Sequence, residues 1–154
     1  MKCPYPITIR APNQGLGYKT KFIAVPCGKC GICLKNQVTT WKIRIAEECK
    51  NNIANCFVTL TYSDEHLPSE GVSKRDIQLF IKKLRHEHSF RYYIISEYGP
   101  ETFRPHYHAI FFGLDEVSFQ GKTSLENIWG KGFCTITPVC PERINYICEY
   151  HEDC

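Results

Sequence analysis

The sequence predicts an α+β fold with a mainly antiparallel sheet and helices packed on one face, and three observations predict it. After residue 31 the hydrophobic pattern runs helix, β-α-β-β-α-β, helix, switching between helical spacing and β-rich runs. Two of the β-rich runs flank a short Gly-Pro loop, the pattern of an antiparallel hairpin. The 154 residues, 43% hydrophobic and 23% charged, suit one domain able to bury a core without disulfides. A split β-α-β arrangement accommodates this order, while the order of strands in space is not readable.

The elements follow in turn. Residues 1–31 are rich in Gly and Pro (Pro12, Gly15, Gly17, Pro26, Gly28, Gly31) and read as an irregular, Cys-rich extension. Residues 32–154 follow as the main domain, the whole forming one compact body. From Ile32 to Cys49, Leu34, Val38, Trp41, Ile45 and Ala46 recur at helical spacing, with Lys35, Lys42 and Arg44 on the outer side. Cys56 to Tyr62 is rich in β-formers and predicts a strand. Ser73 is placed as an N-cap with Asp76 three residues on, an approximate capping box. Ile77, Phe80, Ile81 and Leu84 then predict a helix to about His88, whose opposite face carries Lys82, Lys83, Arg85 and His86. Phe90 to Tyr98 and Arg104 to Leu114 are the hairpin strands. A weaker helix around Ser124 to Trp129, a strand around Phe133 to Val139 and a helix from Pro141 complete the chain.

The net charge of +3 and pI near 8.3 tolerate a nucleic-acid partner without arguing for one. No run approaches the roughly 18 apolar residues of a membrane span. Residues 1–10 lack the apolar core of a signal peptide and contain Pro4 and Pro6. The expected location is therefore intracellular, where ten cysteines stay reduced or bind metal.

Within RPHYHAIFFGL, His106 and His108 stand two apart on a predicted strand, so both imidazoles share a face, about 6–7 Å apart along the chain. Such a pair is either a metal site or two satisfied structural histidines. Glu97, near the end of the preceding strand, can reach the same ion or remain a solvated charge paired with Arg104. Two imidazoles and a carboxylate would leave open positions on Mn²⁺ or Mg²⁺ for phosphate oxygens and water. A histidine-triad hydrolase would need a third histidine where Ile110 stands.

Tyr146 and Tyr150 are four apart on the last predicted helix and share a face. They are either packing aromatics or nucleophiles. A tyrosine hydroxyl is a poor nucleophile unless a neighbour assists it or a metal activates the phosphate.

Cys27, Cys30 and Cys33 form a C-x₂-C-x₂-C run that can wrap one ion, with Cys3 as the nearest fourth ligand. A structural Zn²⁺, an iron–sulfur cluster and free thiols are the alternatives, zinc fitting the tight spacing best.

FVTLTY (Phe57–Tyr62), SEYG (Ser96–Gly99), RPHYHAIFFG (Arg104–Gly113) and YICEY (Tyr146–Tyr150) follow the order and approximate spacing of HUH endonucleases. The chain resembles most the replication initiators of microviruses, small single-stranded DNA phages. VPCGKCGIC and the following WKIR (Trp41–Arg44) are similar to their N-terminal part, and the resemblance spans most of Val25 to Tyr150.

The resemblance implies a ferredoxin/RRM-like HUH endonuclease core over residues 32–154, with His106, His108 and Glu97 as metal ligands. One tyrosine would attack a phosphodiester at a single-stranded DNA origin, leaving a free 3′-hydroxyl and a 5′-phosphotyrosine. The 3′ end would prime rolling-circle synthesis, and the second tyrosine would cut the regenerated origin so the product can be rejoined. A host helicase and polymerase would be the partners, in the cytoplasm of a bacterial host, since no P-loop is present. Two departures stand out. The lysine usually found three residues after a tyrosine is replaced by Glu149 and Asp153. The chain also stops four residues past Tyr150 where relatives continue, as expected of an endonuclease domain, a shortened form or a fragment.

Single strands are held by cationic grooves with aromatic platforms. Lys82, Lys83, Arg85, Arg91 and Arg104 are the candidates for the first, and Tyr92, Tyr93, Tyr107 or Phe103 for the second. The competing functions are a transposase or relaxase of the same chemistry, and a zinc-stabilised nucleic-acid-binding module without catalysis.

Overall fold

The period-2 runs of the sequence become a four-stranded sheet made of β3 (Asn55–Thr61), β4 (Arg91–Tyr98), β5 (Pro105–Phe112) and β6 (Cys134–Pro138). The computed structural model describes residues 1–12 and 21–149. Tyr150, Asp153 and the rest of 150–154 lie outside the described residues, as do residues 13–20. The spatial order is β4-β5-β3-β6, and every neighbouring pair is antiparallel. β3 and β4 are joined through a helix yet separated by β5, while β5 and β6 are separated by β3, so both β-α-β units are split. The chain divides into two compact units, Met1–Trp41 and Lys42–Cys154, with the division inside helix α1 (Gly31–Lys50).

Alternation along the two central strands sets up the core. Val58, Leu60, Tyr107, Ala109 and Phe111 are buried on one face, beneath α2 (Lys74–Leu84) and α3 (Lys122–Trp129). Phe80, Phe111 and Trp129 meet edge-on, and each fully buried large apolar side chain contributes about 1.5–3 kcal/mol. The Trp129 indole N–H donates to the Thr61 carbonyl at 2.9 Å, which removes the penalty of burying it.

Ser73 caps α2 by accepting from the Asp76 N–H at 3.2 Å. The Asp76 carboxylate does not complete the box; it accepts from the Tyr62 hydroxyl at 2.8 Å and faces Lys131 at 3.4 Å. α2 ends at Leu84, short of the expected His88, because the next positions on its buried face are Glu87 and His88 and nothing apolar continues the stripe.

Two expectations are corrected. The first 31 residues are not wholly irregular: β1 (Ile7–Arg10) and β2 (Phe22–Val25) pair antiparallel, Ile7 against Val25 and Arg10 against Phe22. All four β1 residues are exposed, so no alternation marked the strand. Nor do the helices keep to one face of the sheet. α4 (Pro141–Glu149) buries Ile147 and Cys148 and sets the Tyr146 ring 5.3 Å from that of His108, on the face opposite α2 and α3.

Candidate active site

The strand register assembles the site. Glu97 on β4 lies directly across from His106 on β5, and His108 lies directly across from Thr59 on β3. Cross-strand partners share a face, so the three ligand candidates and Thr59 point the same way, while Tyr107 points into the core. Oε2 of Glu97 stands 3.1 Å from Nε2 of His108 and 3.5 Å from Nε2 of His106. One ligand atom from each of the three residues lies within 4.8 Å of the others.

The hydrogen bonds behind these atoms set their chemistry. Nδ1 of His106 is 3.2 Å from the Arg104 carbonyl, which can only accept, so in the neutral ring the proton sits on Nδ1 and Nε2 carries a lone pair. Nδ1 of His108 is 2.9 Å from Thr59 Oγ1. Nε2 of His108 is shielded from solvent and makes no hydrogen bond of sound geometry despite its closeness to Glu97. Burial first, and then the neighbouring His106, push the His108 pKa below the ordinary histidine value, so the ring is neutral at neutral pH. The Glu97 side chain is only 8% exposed. A buried carboxylate facing two imidazole nitrogens, one of them orphaned, is a donor set that a divalent cation would satisfy. The backbone carbonyl of Arg104 and the hydroxyl of Thr59 play the orienting part that outer partners play around metal-bound histidines.

α4 brings Tyr146 to the same place. Its hydroxyl donates to Oε2 of Glu97 at 2.8 Å, and its ring meets that of His108 edge-on. Tyr146 remains 38% exposed, so its hydroxyl is accessible from solvent. Tyr150 lies outside the described residues. At position 149, where the resemblance expects a lysine, Glu149 instead pairs with Lys42 of α1, whose Nζ is 3.3 Å away.

The five cationic candidates do not gather here. Lys82, Lys83 and Arg85 belong to α2 and its C-cap, on the other side of the sheet. The Arg85 guanidinium lies over the rings of Phe90 and Tyr92, and Lys83 Nζ reaches the Ile128 carbonyl at 3.5 Å. Arg91 pairs with Glu48 at 2.8 Å and sits six residues from Glu97, about 20 Å along the strand. Arg104 is close by, its guanidinium tied to Asp64 at 2.7 Å and to the Tyr62 carbonyl at 2.9 Å. Of the stacking candidates, Tyr107 is corrected: at 2% exposure it is a core residue. Phe103, three residues before His106, is 74% exposed at a positive φ of 52°. Sequence reasoning missed Thr59 as a partner of His108; only the register reveals it.

In the Met1–Trp41 unit, Cys3, Cys27, Cys30 and Cys33 converge. The backbone N–H groups of Lys29 and Cys30 lower the Cys27 thiol pKa to about 6, while burial raises that of Cys33 to about 12. Among the described residues no helix is long and apolar enough to cross a membrane.

Residues 55–153 match the family of replication-associated protein ORF2. Replication-associated protein ORF2 of Spiroplasma virus 4 is 36% identical, over 82% of this chain and 47% of that protein. Replication-associated protein VP4 of Bdellovibrio phage phiMH2K is 31% identical, over 82% and 47%. Replication-associated protein ORF4 of Chlamydia phage 1 is 25% identical, over 82% and 37%. The chain spans about half the length, or less, of these curated relatives. No solved structure matches it.

Proposed function

The chain belongs to the replication-associated protein ORF2 family, and on that premise we propose that it initiates rolling-circle replication by nicking and rejoining single-stranded DNA at an origin. Its relatives are replication-associated proteins of phages, which supports a role in phage DNA replication within the host cell. The observation that carries the finer reading is the Tyr146 hydroxyl, 2.8 Å from a carboxylate that two imidazoles also face.

His106, His108 and Glu97 would hold a divalent cation, Mn²⁺ or Mg²⁺, which would polarise the scissile phosphate as a Lewis acid. Glu97 orients the Tyr146 hydroxyl, whose oxygen attacks phosphorus. The tyrosyl O–P bond forms as the P–O3′ bond breaks. The phenolic proton leaves along the hydrogen bond to Glu97, and the departing 3′-oxygen takes a proton from water. The product is a 5′-phosphotyrosine and a free 3′-hydroxyl that can prime synthesis. Tyr150, assigned from sequence spacing alone, is the second nucleophile, which rejoining requires. The arrangement of split β-α-β units with paired histidines on a central strand agrees with an HUH core. Phe103, exposed beside the site, offers a base a stacking surface. Strand separation and synthesis fall to a host helicase and polymerase.

The test is incubation of the chain with circular single-stranded DNA carrying candidate origins, with Mn²⁺ or with chelator. A covalent protein–DNA adduct that needs metal and vanishes in a Tyr146→Phe/Tyr150→Phe double variant is expected. An adduct that survives in the double variant overturns the tyrosine assignment. DNA binding with no adduct in any condition favours a binding module without catalysis.

A further inference from the structure

Unit Met1–Trp41 has almost nothing to bury. Among its described residues only Cys33 and Val38 are buried, while Tyr5, Ile7, Ile9 and Phe22 are exposed. Segments of this size seldom fold on so small a core without a covalent or metal staple. The four cysteines are free thiols, so no disulfide supplies one.

Their geometry is that of a single-ion site. Sγ of Cys3 is 3.8 Å from Sγ of Cys30, and Sγ of Cys27 is 3.9 Å from Sγ of Cys33. Four sulfurs each about 2.3 Å from one zinc ion occupy the corners of a tetrahedron with edges of about 3.8 Å. An iron–sulfur cluster, with several metal atoms between its thiolates, would spread them wider. The backbone is arranged to support charged sulfurs. The Cys27 N–H donates to Cys3 Sγ at 3.3 Å, and the Cys30 N–H donates to Cys27 Sγ at 3.4 Å. Gly28, at φ +76°, provides the left-handed turn between Cys27 and Cys30. The Cys30 carbonyl accepts from Leu34 N at 3.0 Å as α1 begins, and Cys33 lies in the first turn, so the positive end of the helix faces the thiolates.

We propose that Cys3, Cys27, Cys30 and Cys33 hold one structural zinc ion, and that its binding folds the Met1–Trp41 unit. Four thiolates fill the tetrahedron and leave no position for substrate, so the ion is separate in kind from the cation proposed at the O/N-donor site. Each thiol gives up its proton as it binds, and the binding free energy becomes folding free energy for a unit that lacks a core. This proposal does not depend on the nicking reaction.

The test uses the full chain, purified under reducing conditions and dialysed, with its metals counted. One zinc per chain is expected, retained in Cys49→Ser and in the His106→Ala/His108→Ala double variant and lost in Cys30→Ser. Cobalt exchanged into the unaltered chain should give the thiolate charge-transfer bands of a tetrahedral sulfur site, a readout that holds even if Cys30→Ser fails to fold. Chelation should raise the rate of proteolysis within residues 1–30 roughly tenfold or more. Iron in place of zinc, four reactive thiols with no metal, or zinc that follows the histidines rather than the cysteines would each overturn the proposal.

Discussion

The hydroxyl of Tyr146 and the Oε2 atom of Glu97 meet at 2.8 Å, although 49 residues of chain separate them. The contact ties the last helix to the edge strand at the point where the two histidine Nε2 atoms converge. The proposed nucleophile and a proposed ligand are thus already in register, and each can be altered by a single atom.

Replacing Tyr146 with Phe removes one oxygen from a side chain that is partly solvent-exposed, so the fold should persist with less than about 1 kcal/mol of change. Formation of the first covalent adduct should fall at least roughly 100-fold, about 2.7 kcal/mol of barrier. Denaturing electrophoresis of labelled DNA reads this directly. Undiminished adduct would transfer the role to Tyr150.

Glu97→Gln keeps the shape of the site and removes its buried charge. Metal binding should weaken and cleavage at fixed Mn²⁺ should drop about 100-fold or more, partly recovered at high Mn²⁺. Titration of cleavage against metal concentration checks this, and a rate independent of the substitution would exclude Glu97 as a ligand.

Thr59→Val replaces the hydroxyl that holds Nδ1 of His108 at 2.9 Å with an isosteric methyl. An orienting partner of this sort is worth about 10–100-fold in metal affinity or activity. The expected signature is a raised Mn²⁺ requirement with cleavage near normal at saturation. Equal activity at every metal concentration would mean that the hydroxyl does not orient the ring.

Phe103→Ala should weaken binding of a single-stranded oligonucleotide by about 1–3 kcal/mol, the usual value of one base–aromatic stack. Its ring is 74% exposed and held at a positive φ, so little packing is lost with it. Fluorescence anisotropy measures the effect. Unchanged affinity would leave Phe103 without a role at the DNA.

Tyr107→Phe tests the core instead. The Tyr107 hydroxyl accepts from Ser73 N at 2.6 Å and lies 3.1 Å from the Tyr62 hydroxyl. Leaving those partners unsatisfied should cost about 1–3 kcal/mol in chemical denaturation, while metal affinity of the folded protein stays unchanged.

Much of this protein was legible before folding. Helical spacing located α1, α2 and α4, and β-rich runs located β3 to β6, because those segments bury one face and the period of burial is written in the residue types. The pair His106 and His108, the Cys27–Cys30–Cys33 run and Tyr146 were legible for the same reason: each set is local, and local spacing fixes which side chains share a face. β1 was not, since a fully exposed strand has no periodicity to read.

Only the tertiary structure decided the contacts between distant segments. That Glu97 stands opposite His106, that Thr59 supports His108, and that Tyr107 is core rather than platform follow from strand register, and a slip of one residue would turn each side chain to the other face. That Lys82, Lys83, Arg85 and Arg91 lie away from the site follows from which face α2 covers and how far along β4 each residue falls. The sequence by itself determined the local elements and the sets of residues able to carry chemistry. Their meeting, Tyr146 on Glu97 above all, was decided by sheet order and by α4 packing on the histidine face, which depend on long-range burial that no local pattern records.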